Sequence, residues 1–153
     1  MKAYEDPRIT AFGLLTEVHN GLMIRLSQDP TGRGLSAPEV SVLIRLARTP
    51  GQRLRLSDLA TQTSLSTSGV TRLVDRLETK GLIMREPCPT DRRSAYATLT
   101  PSGVGLVEEL AAENVKIIDR WFTGLLDPAQ LETFLGTLRV IRDEVHPGAT
   151  AGA

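Results

Sequence analysis

Between residues 66 and 76 the chain carries Ser66, Ser68, Thr71, Arg72 and Arg76, short hydroxyls and guanidinium groups at near-helical spacing. A guanidinium pairs bidentately with phosphate or with O6 and N7 of guanine, and short hydroxyls let a backbone approach a groove closely. Further along, Asp91-Arg92-Arg93-Ser94 follows the turn-forming Pro87-Cys88-Pro89-Thr90. Two adjacent arginines at a loop tip are costly unless an anion meets them, and a narrow DNA minor groove supplies that potential. Catalytic groups are not assembled in the same way. The chain has His19, His146 and a single Cys88, with no Cys-x-x-Cys, no His-Glu-x-x-His and no lysine-bearing phosphate loop. The residues therefore imply no enzyme, no metal and no cofactor.

The elements that must hold these side chains can be read from local signals. Ser66 is placed to cap a helix, Gly81 to end it in left-handed geometry, and Val70, Leu73, Val74 and Leu77 recur on one face between them. Ser68, Thr71, Arg72, Asp75, Arg76 and Thr79 then project from the opposite face. Charges opposite an apolar stripe are ordinary for any surface helix, so the neighbouring elements must discriminate. Upstream, Ser57 is expected to cap a short helix from Asp58 to about Thr63, with Leu65 in a turn of about three residues. Downstream, Leu82 to Arg85 and Ser94 to Leu99 read as two short strands, and Pro87 and Pro89 suit an edge hairpin because they donate no ladder bonds. Two helices, a tight turn and an arginine-tipped hairpin make a winged helix-turn-helix, whose second helix enters a major groove.

These residues resemble the MarR (multiple antibiotic resistance regulator) family of transcription factors. The resemblance rests on the Asp91-Arg92-Arg93-Ser94 wing followed by a strand ending at Leu99-Thr100, and on the helix from Ser66 to Gly81. It implies groove or phosphate contacts for Ser66, Ser68, Thr71, Arg72 and Arg76, and for Arg92 and Arg93 at the wing, with Arg93 as the minor-groove probe. It gives Asp91 a structural role, holding the wing through a salt bridge. The function implied is that of a ligand-responsive repressor binding a pseudo-palindromic operator. A winged-helix protein-interaction module that binds no DNA is the competing reading.

The 153 residues carry no net charge, but the charge is unevenly distributed. Residues 45–93 hold ten basic and five acidic side chains, whereas the rest hold eight basic and thirteen acidic ones. DNA is thereby directed to the middle of the chain. The expected fold is mainly α with a small β-hairpin wing: a winged helix-turn-helix over 36–100, flanked by dimerisation helices at 8–27 and 101–146, with a flexible tail at 147–153, all in one domain. Phe12, Leu15, Leu22, Met23 and Leu26 form the expected stripe of the first helix, before a loop from Gln28 to Gly34. Ser36 and Glu39 read as a capping box for a helix with Val40, Leu43, Ile44 and Ala47 inside. Thr100-Pro101 and Asp127-Pro128 start two more helices, the last with Leu131, Phe134, Leu135, Leu138, Ile141 and Val145 on one side. Terminal helices with this much apolar surface exceed what the winged region can cover, so a homodimer is expected.

His19 lies on the stripe of the first helix, between Leu15 and Leu22. It reads either as a hydrogen-bonded core or interface histidine, or as part of an effector pocket where the dimerisation helices meet the winged region. Arg25 or Arg45 would there supply a cationic partner for a small aromatic or anionic molecule. Cys88, in the hairpin, reads as inert, and a single cysteine fits a reducing cytoplasm. No secretion signal or membrane span is expected.

Overall fold

The computed structural model describes residues 2–26, 34–89 and 91–152, with Arg92 and Arg93 described by their backbone alone. Most of the loop expected from Gln28 to Gly34 thus lies outside the described residues. Among the described residues, six helices and a small sheet follow in the order α1 (Pro7–Leu26), α2 (Ala37–Arg48), β1 (Arg53–Arg55), α3 (Leu56–Thr63), α4 (Thr67–Thr79), β2 (Ile83–Cys88), β3 (Asp91–Leu99), α5 (Pro101–Trp121) and α6 (Pro128–Val145). Short 3₁₀ turns lie at Ala3–Glu5, Pro50–Gln52, Thr123–Leu125 and Pro147–Thr150.

Local capping chemistry sets several of these starts. Ser66 Oγ accepts from the Gly69 amide at 3.1 Å, Thr100 Oγ1 from the Gly103 amide at 3.1 Å, and Asp127 Oδ1 from the Gln130 amide at 2.9 Å. Each satisfies an amide that has no partner within the first turn. The start of α3 departs from expectation by two residues. Arg55 occupies its N-cap position, and Ser57 lies inside the first turn, where its carbonyl accepts from Thr61 Oγ1. The helix ends at Ser64, which takes the left-handed conformation itself.

Residues Arg53–Arg55 form a strand that the sequence reading passes over. It pairs antiparallel with β3, in the register Leu54 to Ala97, giving the order β1-β3-β2. Three residues are too few to show an alternating pattern, and this strand exists because β3 offers it a ladder. The hairpin strands are also longer than expected. Pro87 lies within β2, opposite Ala95, on an edge strand where its missing N–H breaks no ladder, and a register shift follows between Pro87 and Cys88.

The core runs from Leu35 to Leu110 and is built from Val42, Leu43 and Leu46 of α2, Leu59 of α3, the four predicted residues of α4, the sheet, and Leu106, Val107 and Leu110 of α5. The stripe of α2 is therefore rotated from the expected one: Val42 and Leu46 are buried, while Val40, Ile44 and Ala47 are only partly so. The first turns of α5 pack into the core of the winged region. Gly103 is the reason that α5 can approach, because a Cβ there would run into the Leu82 carbonyl. Gly81, at φ +70°, makes the bend that brings Leu82 to that position.

By contrast, α1 and α6 bury no residue. Phe12 is 72% exposed and Val145 76%, and α1 also exposes Ile9, Leu14, Val18 and Ile24, so its apolar residues surround the helix. On α6, Leu131, Phe134, Leu135 and Leu138 are half-buried, with Ile141 exposed.

The segment expected to be a flexible tail is folded onto α3. His146 Nε2 lies 3.0 Å from the Thr61 carbonyl, Gln62 Nε2 donates to the Ala151 carbonyl at 2.7 Å, and residues 147–150 form a 3₁₀ turn. Small residues gave no local signal of this docking because the partners lie more than eighty positions away.

Candidate nucleic-acid interface

The exposed face of α4 carries Ser68, Thr71, Arg72, Asp75, Arg76 and Thr79, and Ser66 is exposed at its cap. Ser66 Oγ, besides capping, lies 3.1 Å from Ser68 Oγ. Thr71 Oγ1 donates to the Thr67 carbonyl at 2.9 Å, which fixes its rotamer along the helix. Arg72 Nε donates to the Ser68 carbonyl at 3.3 Å, so its guanidinium lies along the N-terminal half of the face. Its Nη donors are the part of the group suited to a forked contact.

Arg76 is differently held. Its Nε donates to Glu39 Oε1 at 3.2 Å, and Lys80 Nζ stands 3.5 Å from the same oxygen. The other carboxylate oxygen accepts from the Ser36 amide and hydroxyl, both at 2.8 Å. Sequence reading found the Ser36–Glu39 capping box but not these cations, which belong to a helix packed across from it. Glu39 is 3% exposed. Burial pushes its carboxyl up, but the Ser36 hydrogen bonds, the Arg76 hydrogen bond and the Lys80 charge together bring it below its ordinary value. A carboxyl lowered on folding stabilises the protein above its unfolded value of 4.5 and loses that contribution as pH falls through the folded value. Glu39→Gln is accordingly expected to destabilise the fold by about 1–3 kcal/mol at pH 7, with the gap to the parent narrowing below pH 4.5. Urea unfolding at pH 7 and at pH 3 measures this, and an equal gap at both pH values would count against it.

Arg85 is a second residue that sequence reading missed. From β2 it donates to Asp75 Oδ1 at 2.6 Å and to Glu78 of α4 with Nη1, and its own amide donates to Glu78 Oε1 at 3.1 Å. Burial opposes its charge, but Asp75 and Glu78 more than offset this and hold the guanidinium above its ordinary value. The base of the hairpin is thereby tied to α4, and one of the two negative charges of Asp75 and Glu78 is offset. The strand pattern alone could mark Arg85 as outward-facing but not name its partners.

At the wing, Asp91 Oδ2 accepts from Ser94 Oγ at 2.7 Å. Arg92 and Arg93 lie on β3, and their side chains fall outside the described residues. Beneath the wing, Arg53 stacks on the Tyr96 ring at 4.9 Å and Arg55 Nε donates to its hydroxyl at 3.3 Å. Cys88 is buried.

The three residues assigned to an effector pocket are not brought together. His19 is exposed, with Nδ1 3.4 Å from Asn20 Oδ1, and Arg25 stacks on Trp121 at 3.7 Å. Arg45 lines cavities, one of about 450 Å³ with Gln62 and His146 and another of about 340 Å³ with Met23, Val40 and Ile44. Among the described residues there is no cluster of potential metal ligands, and no helix is long and apolar enough to cross a membrane.

The profile of the MarR family matches residues 35–95, the segment that contains this interface. AbsC, a MarR family transcriptional regulator from Streptomyces coelicolor, is 31% identical and superposes with a TM-score of 0.83 over 95% of this chain and 98% of its own. This chain belongs to the MarR family. A second relative, Sco3205 from the same organism, is 26% identical with a TM-score of 0.81 over 99% of this chain and 94% of its own, and was solved in complex with DNA. BpsR from Bordetella bronchiseptica, whose DNA binding is regulated by 6-hydroxynicotinic acid, is 26% identical with a TM-score of 0.74 over 94% of this chain and 97% of its own. As a MarR-family protein the chain is a DNA-binding transcriptional regulator, which favours the DNA-binding reading over a pure protein-interaction module.

Proposed function

We propose that this MarR-family protein is a ligand-responsive repressor that binds a pseudo-palindromic operator as a homodimer. The observation that carries the reading is the rigid, exposed face of α4, with Arg72 presented at its N-terminal half and the wing root locked to it by Arg85. Ser66, Ser68 and Thr71 approach the groove edge, Arg72 reads a base, and Arg76, already engaged by Glu39, contacts phosphate with its remaining donors. Asp91 holds the wing turn while Arg92 and Arg93 reach the minor groove, Arg93 as its probe.

Dimerisation follows from the uncovered helices. A helix that is apolar all round needs cover on every side, and α1 finds too little of it in its own chain. An open groove of about 750 Å³ lined by Val18, Trp121, Phe122, Leu126 and Phe134 is suited to receive the partner's helices. An effector that changes the separation of the two recognition helices would abolish simultaneous contact with two half-sites. Regulation by a small molecule is a property of the relative BpsR, and the cavities around Arg45 give this chain room for one. Nothing in this role requires catalysis, and the protein acts by binding alone.

The test is a library of single-base operator changes measured at fixed salt. Arg72→Ala is expected to cost roughly 1–3 kcal/mol and to relax preference at one position in each half-site. Arg76→Ala should weaken all sequences alike. If Arg72→Ala leaves base preference intact while Arg76→Ala alters it, the two roles are exchanged.

A further inference from the structure

A third cavity lies against Arg45, and no residue of α1 lines it. It holds about 330 Å³, and its walls include Arg45 and Arg48 of α2, Gln62 of α3, Arg142 of α6 and the backbone turn at 149–150. This volume is in the range of small-ligand pockets. No carboxylate side chain lines it among the described residues. Arg45 Nε is buried without a hydrogen-bond partner, while Nη1 donates to Gln62 Oε1 at 3.2 Å and only at 3.4 Å to the Ala149 carbonyl. Arg142 is partly neutralised, since Asp143 accepts from its Nε at 2.8 Å and its Nη2 at 2.6 Å. Among the described residues, no carboxylate side chain meets Arg45 or Arg48 in this cavity.

We propose that this cavity is a binding site for a small oxyanion, a carboxylate or a phosphate, held by Arg45, Arg48 and Arg142 beneath the C-terminal turn. A buried guanidinium donor without an acceptor is costly, and an anion removes that cost with charge-assisted hydrogen bonds. Burial, and then the charge of Arg48, pull the Arg45 guanidinium below its ordinary value, a cost that a bound anion would relieve. The amide of Gln62 couples the site to its surroundings: its oxygen accepts from Arg45 and its nitrogen holds the Ala151 carbonyl. Gln62 belongs to α3, which packs against the recognition helix α4, so an anion that recruits Arg45 acts on the joint between α3, the tail and α6. An influence on DNA affinity rests on the effector reading above; anion binding itself does not.

The experiment is therefore calorimetric titration of the free protein, without DNA, with inorganic phosphate and separately with benzoate, ionic strength being held constant with chloride. Saturable binding of at least one probe is expected, and the stronger of the two identifies the source of the oxyanion. Arg48→Gln and Arg142→Gln, on accessible side chains, should each weaken it by about tenfold, and Arg45→Gln should abolish it. Thermal melts confirm that each variant remains folded, and the first two keep the test decisive if Arg45→Gln does not fold. No saturable binding of either probe, or binding unchanged in Arg48→Gln and Arg142→Gln, would overturn the proposal.

Discussion

Phe12→Asp is expected to convert the protein to a monomer and to weaken operator binding by a factor of about 10²–10⁴, the avidity lost when two linked half-site contacts become one. Phe12 is 72% exposed in the single chain, so a charge there disturbs little within the subunit. In the dimer the same charge would be buried without a partner against an apolar surface, which is strongly unfavourable. Val140→Asp, on the exposed side of α6, should act in the same direction. These positions separate association from folding better than Leu135 or Leu138, which are half-buried within their own subunit. Sedimentation equilibrium measures the association and circular dichroism the fold. A folded dimer with undiminished operator affinity would place the interface elsewhere.

Operator affinity should also fall by about 10³–10⁵ between 50 and 200 mM salt if the dimer neutralises six to ten phosphates, through release of condensed counterions. The zero net charge of the chain does not soften this expectation, because the excess of five basic side chains lies within residues 45–93. Arg85 strengthens it by offsetting one of the two negative charges of Asp75 and Glu78 on α4. Arg85→Ala should lower affinity while leaving intact the base preference proposed for Arg72, since it returns repulsion without removing that side chain. Titration of a labelled operator across salt concentrations gives the slope. A flat profile would contradict phosphate-driven binding.

What could be read in the sequence was whatever is decided within about four residues. The Ser66, Thr100 and Asp127 caps, the α4 stripe of Val70, Leu73, Val74 and Leu77, and the bend at Gly81 each depend on neighbours along the chain, and residue identity declared them. These signals, with the wing motif, were sufficient to establish a winged helix-turn-helix and the outward position of Arg72. Long-range packing decided the rest. The rotation of the α2 stripe follows from Leu46 and Val42 meeting the sheet and α5; β1 exists only beside β3; and the small residues after His146 are ordered because Gln62 and Arg45 supply donors to their carbonyls. The same limit separates Arg72 from Arg76. Alike in type and on one helix face, they differ because Glu39, thirty-seven positions before Arg76, is buried where, among the cations of the described residues, Arg76 and Lys80 reach it. A buried carboxylate must find its cations in space, and the order of residues along the chain does not say which ones those will be.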